Sequence, residues 1–187
     1  MTSPSAPTIP GYVVGTWDID PVHSDVSITA RHFAVSKVRG SFGAFSGEIV
    51  TAENPLDSSV TATIEAASVD TKNSDRDNHI RSADFLDVAS HPTITFRSTA
   101  LKPGEEGFVL EGDLTLHGVT KPVALNLELS GFGPDPYGGT RVGFSATTTV
   151  LRSDYEMKFN AVLETGGAVV SDKLQVALEI EAVLRAG

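Results

Sequence analysis

Five histidines, His23, His32, His79, His91 and His117, are the side chains of this chain best suited to acid–base work or metal ligation. No two of them have the i,i+4 spacing of a helical zinc motif, and the chain has no cysteine to complete a metal set. The spacing therefore predicts no metal site and no cofactor. Ser24 adjoins His23, but no Gly-x-Ser-x-Gly elbow exists, and no catalytic residue is assigned. His23, in Asp-Pro-x-His-Ser, is expected to close a turn through side chain to backbone hydrogen bonds. Asp18 and Asp20 are close carboxylates whose expected state is solvation.

The densest charge lies in RDNHIRSADF, residues 76 to 85. A helix is predicted over roughly residues 73 to 87. Asn73 or Ser74 can cap it, and Asp75 and Asp77 suit its positive end. Asp77 with Arg81, and Asp75 with His79, are spaced to meet on one turn. Arg76 and Asp77 are expected to form an internal ion pair. The rival role for Arg76 or Arg81 is a fork on a phosphate or carboxylate. Ile80, Ala83 and Phe85 are left to anchor the segment on a sheet, as a lid or plug.

The remainder of the chain must position these groups, and it alternates apolar and polar residues two by two. Val60, Ala62, Ile64 and Ala66 share one face of a strand. Phe108, Leu110, Leu114 and Leu116 do so in the next clear case, then Val123, Leu125, Leu127 and Leu129. Leu174, Val176, Leu178 and Ile180 oppose Gln175, Glu179 and Glu181. Weaker versions surround Ile28, Ile94 with Phe96, and Phe144. A glycine-rich stretch over residues 38 to 50 allows a bend or bulge between Phe42 and Phe45. About eight strands result, which suits a sandwich or a closed antiparallel barrel. Closure hides the edges, and eight strands can enclose one small ligand.

Length and composition bound the rest. The 187 residues predict one domain over residues 15 to 187, after a disordered N-terminal arm over residues 1 to 14. A net charge of −10 repels phosphate backbones, so nucleic acid is not an expected partner. No stretch is apolar for the ~18 residues a membrane helix needs. The first residues lack a basic region followed by an apolar one, which predicts a cytoplasmic protein.

Five blocks carry a resemblance. They are WDIDPVHSDVSITARHF from Trp17, VRGSFGAFSGEI from Val38, and SVDTKNSDRDNHIRSADFLDVASHPTITFRST from Ser68. GDLTLHGVTKPVAL from Gly112 and the Arg152-Ser153-Asp154 segment follow. In this order the chain resembles the YceI-like family, also called polyisoprenoid-binding or lipid-binding YceI proteins, from about Trp17 to Ala182. One position departs. After Arg-Ser-Asp the family carries an aromatic residue and a glycine, whereas Tyr155 is here followed by Glu156. The resemblance implies an extended lipocalin-like barrel of eight antiparallel strands with a helical element, and the predicted short helical insertion falls between strands three and four. It also implies an elongated apolar cavity for a polyisoprenoid or another long-chain lipid, and a homodimer.

Binding such a tail is a hydrophobic problem. Each buried methylene contributes ~0.8 kcal/mol, so about a dozen suffice even against the association entropy. The expected walls are Phe33, Phe42, Phe45, Ile64, Ile80, Phe85, Phe96, Leu114, Phe144 and Phe159. Arg76 and His79 are expected at a polar mouth. The function read from this is binding, storage or transport of the lipid without chemistry. The alternatives are an enzyme using His79, His23 or His32 as acid or base, and a barrel packed solid with side chains.

Overall fold

The computed structural model describes residues 6–32, 36–159 and 170–186. Eleven strands and one helix follow in chain order. The strands are β1 (Gly15–Ile19), β2 (Asp25–His32), β3 (Ser36–Phe42), β4 (Phe45–Thr51), β5 (Ser59–Glu65) and β6 (Val69–Asp70). The helix α1 (Ser74–Arg81) comes next. Then follow β7 (Thr93–Gly104), β8 (Gly107–Leu116), β9 (Val119–Pro134), β10 (Thr140–Leu151) and β11 (Lys173–Leu184).

Eight of the strands close a ring, in the order β1-β4-β5-β7-β8-β9-β10-β11, with β11 pairing back onto β1. Every pairing in it is antiparallel. The fold is thus all-β, a closed eight-stranded antiparallel barrel with one short helix. The sandwich alternative does not hold. Closure is carried by Trp17, whose backbone lies opposite Leu184 on one side and Ile49 on the other. Its ring is fully buried, and its indole N–H donates to Thr51 Oγ1 at 2.9 Å.

The alternation seen in the sequence is the inside–outside alternation of the barrel wall. Leu174, Ile180 and Ala182 are buried on β11, whereas Gln175 and Glu179 face water. Beyond the ring, β2 pairs with β11 above β1, and β3 and β6 extend the same sheet. The chain passes from β1 to β2 through Asp20-Pro21-Val22-His23-Ser24. Ser24 Oγ donates to the Glu181 carbonyl and accepts from the Glu181 N–H at 3.0 Å, which stitches this break onto β11. A second break, at Gly43-Ala44, separates β3 from β4, where the glycine-rich stretch allowed a bend.

The segment expected to be a disordered arm includes Tyr12, whose hydroxyl donates to the Ala52 carbonyl and whose ring meets Phe132 edge-on at 5.4 Å. The helix is shorter than the predicted span. Asn73 caps it by accepting from the Arg76 N–H at 3.0 Å. It ends at Arg81, because Ser82 is extended and turns follow to Ser90.

Candidate functional site

Where β2, β3 and β6 rise beside the ring, the barrel interior holds a cavity of about 360 Å³. Its walls come from several elements. Ile28 and Ala30 enter from β2, and Val38, Gly40 and Phe42 from β3. Arg76, His79 and Ile80 enter from α1, and Phe85 and Leu86 from the turn after it. Ile94, Leu116 and Leu174 close the inner side. Met157, Phe159 and Val170 complete it, with Arg152 behind them. The volume lies in the ~300–1,000 Å³ range of small-molecule sites. Among the described residues, no side chain fills the space between these walls.

The rim is aromatic. His79 meets Phe85 edge-on at 5.0 Å and Phe159 at 5.2 Å, and the two phenyl rings lie 5.4 Å apart. Edge-to-face contacts of this kind are favourable beyond their buried area. His79 also bonds the Asp84 carboxylate at 2.9 Å. Phe159 is exposed, so this triangle marks the mouth.

Behind the rim lies Arg152, 4% exposed. Its guanidinium donates to four carbonyls: Ser171 at 2.9 Å, Met157 at 3.1 Å, Phe159 at 3.0 Å and Val170 at 3.1 Å. It also sits 5.6 Å from the centre of the Phe85 ring. Burial pushes its pKa down, while the charge of Asp172 opposes that shift. The rigid five-donor fork suits this task, because it can donate in several directions at once.

The predicted ion pairs of α1 do not form. Arg76 Nε donates to Thr71 Oγ1 at 2.8 Å and Nη2 to the Thr71 carbonyl at 2.7 Å. The buried Asp77 carboxylate accepts from the Thr71 N–H at 2.8 Å and from its hydroxyl. Consecutive helical residues point ~100° apart, so Arg76 and Asp77 cannot face each other. Arg81 reaches instead to the carbonyls of Ala67 at 2.8 Å and Val69 at 3.1 Å. His79 takes Asp84, not Asp75.

His23 differs from its expected role as well. Its ring bonds the Asp20 side chain at 2.7 Å, not a backbone group. Asp20 is not merely solvated. Arg141 donates to it at 2.9 Å, and that bond, then the one to His23, holds its carboxyl well below the usual carboxylate range. Asp18 pairs with Arg185 at 2.7 Å. Lys121 is exposed on β9.

Of the expected lipid contacts, Phe42, Arg76, His79, Ile80, Phe85 and Phe159 line this cavity. Phe45, Ile64 and Leu114 pack against the core cluster that walls it without lining it. Phe96 packs on a third cluster, with its ring over Gly112. Phe144 borders a separate apolar cavity of about 100 Å³, between Ile49, Leu110, Leu129, Phe132 and Val142. Phe33 lies outside the described residues, and so does the side chain of His32. Phe45 and Leu178 pack against both the cluster at the larger cavity and the one at the smaller.

Sequence reasoning passed over Arg152, Met157 and Leu86. Arg152 was visible only as part of a motif, because its partners follow 5 to 19 residues later. Glu156 stands where the resemblance leads one to expect glycine. It has φ 60°, the left-handed region that favours glycine. Its carboxylate bonds Lys158 at 2.9 Å.

A closed antiparallel barrel with one apolar cavity at a helix-bearing end defines the class of protein. The chain belongs to the YceI-like family, whose domain matches residues 17–182. It is 42% identical to a UPF0312 protein of Ectopseudomonas mendocina over 163 residues, covering 86% of this chain and 82% of that one. It is 43% identical to Protein YceI of Escherichia coli over 137 residues, covering 73% and 72%. Among solved structures it is similar to the YCEI protein of Campylobacter jejuni, with TM-score 0.71, 26% identity and coverage of 100% and 98%. It also shares the fold of a polyisoprenoid binding domain from Saccharophagus degradans, with TM-score 0.68, 18% identity and coverage of 92% and 100%. Among the described residues, no helix is long and apolar enough to cross a membrane.

Proposed function

We propose that the barrel binds a polyisoprenoid or another long-chain amphiphilic lipid in its larger cavity, for storage or transport. One observation carries this reading: the cavity is walled mainly by aliphatic and aromatic side chains, and its few polar ones, among them Arg31, Arg76 and His79, share it with them. An apolar tail would gain ~0.8 kcal/mol per buried methylene there, and a polar head would stay near the rim. The shared fold with the polyisoprenoid binding domain of Saccharophagus degradans supports the same ligand class. In this reading the extended tube is lipocalin-like, the α1 insertion between β5 and β7, the third and fourth ring strands in the chain, is its lid, and the protein works as a cytoplasmic dimer. Light scattering on the purified protein and fractionation of the host check those last two points.

The decisive experiment is extraction and mass spectrometry of whatever co-purifies from the host, followed by titration with a fluorescent long-chain lipid. Saturable uptake is expected, and its loss in Leu116→Trp, which fills the cavity. A folded protein that carries nothing and takes up nothing overturns the reading.

A further inference from the structure

Asp87, His91 and His117 come together on the outer side of the cavity wall. One ligand atom from each lies within 4.8 Å of the others. We propose that these three side chains bind a first-row divalent cation, zinc above the rest. Two imidazoles and a carboxylate are the borderline donors zinc takes, and three protein ligands leave a fourth position for water.

Three features build the site. The His117 ring nitrogen Nδ1 lies 2.9 Å from the Tyr155 carbonyl, which can only accept. Nδ1 therefore carries the proton, and Nε2 presents its lone pair outward. That is the arrangement a backbone carbonyl imposes on a metal-binding histidine. The His91 ring meets the His117 ring at 4.9 Å, and Gly118 lets it come so close. A Cβ at position 118 would stand 2.6 Å from the His91 ring. Asp87 and His91 belong to one turn, closed by the His91 N–H on the Asp87 carbonyl at 2.8 Å. Among the described residues, no lysine or arginine pairs with the Asp87 carboxylate. A tetrahedral zinc holds its ligands roughly 3.4 Å apart, so side-chain rotation has at most about 1.4 Å to close.

The other grouping of this kind, Asp20, His23 and Glu181, already holds a cation. Arg141 stands 2.9 Å from Asp20 and 3.4 Å from Glu181. It provides the control. An ion at the first site would join two separate segments, the turn after α1 and the β8–β9 turn, and the second of these already holds the Arg152–Tyr155 turn through His117 and the Tyr155 carbonyl. Leu86 and Leu116, the neighbours of Asp87 and His117, are buried in the cavity wall. The ion would thus brace that wall from behind, whatever the cavity holds.

The test is calorimetric titration of zinc chloride into chelator-treated, dialysed protein, with cobalt absorption as a second readout. One equivalent per chain is expected, with a rise in thermal midpoint. Affinity is expected to fall at least roughly tenfold in His91→Ala and in the isosteric Asp87→Asn, and to be unchanged in His23→Ala. Circular dichroism checks each variant, and Asp87→Asn decides if His91→Ala does not fold. The inference is overturned if the wild type binds no stoichiometric zinc. It is equally overturned if a folded Asp87→Asn binds as the wild type does, or if binding is lost only in His23→Ala.

Discussion

Arg76 and Asp77 are neighbours in the chain, and both hold Thr71 instead of each other. The Thr71 hydroxyl accepts from Arg76 and donates to Asp77, while its backbone serves both. One threonine thereby fixes the helix that forms one cavity wall. Thr71→Val keeps the shape and removes the hydroxyl. The Asp77 carboxylate then keeps one donor from Thr71, and Arg76 Nε loses its acceptor. A loss of about 1–3 kcal/mol is expected in denaturant unfolding. Valine at this position with unchanged stability would show that the pair does not anchor α1.

Arg152 meets four carbonyls at once, which no lysine can do with one ammonium. Arg152→Lys is expected to destabilise by roughly 2–4 kcal/mol, since buried acceptors lose their donors. At ~2–4 °C per kcal/mol for a chain of this size, thermal melting will resolve it.

The Asp20–Arg141 pair sets part of the acid limb of stability. Arg141 and His23 lower the folded-state pKa of Asp20 below its unfolded value of ~3.9. The contribution is therefore fully present above the unfolded value, and it is lost as pH falls through the folded one. Asp20→Asn is expected to lower stability at neutral pH and to flatten its decline below about pH 4. Urea midpoints measured across that range check it, and a parallel downward shift at every pH would contradict it.

Phe45 packs against both core clusters that border the two cavities. If a lipid tail enters the larger cavity, Phe45 limits how far it can run. Phe45→Ala is expected to favour longer tails in a competition between acyl chains of different length. The trimming should destabilise by about 2–3 kcal/mol, less than a fully buried phenylalanine would. An unchanged length preference would place the limit elsewhere.

Glu156 holds a left-handed backbone, the region that favours glycine. Glu156→Gly relieves a conformation unfavourable to a residue with a Cβ, and it removes only the exposed pair with Lys158. A gain of about 0.5–1 kcal/mol is expected, read as a higher melting temperature.

Period-two alternation made the barrel wall legible, because inside and outside are decided residue by residue within each strand. Leu174 to Ile180 needs no partner to announce its inner face. The helix cap was legible for the same reason, since Asn73 reaches only to Arg76. The cavity was legible in part, as the helix and aromatic residues around it suggested a lid. Phe96 and Phe144 share the composition of a lining residue, yet Gly112 and the smaller cavity claim them.

The amino-acid sequence alone determined most of the strands, though not β1 or β6, and the charged helix and the family, because each depends on local pattern or on motif order. Only the tertiary structure decided which partners meet. Closure through Trp17 and Leu184, the four carbonyls on Arg152, and the approach of His117 to Asp87 and His91 join residues distant along the chain. Their positions follow from strand register and barrel curvature, which no window of neighbouring residues contains.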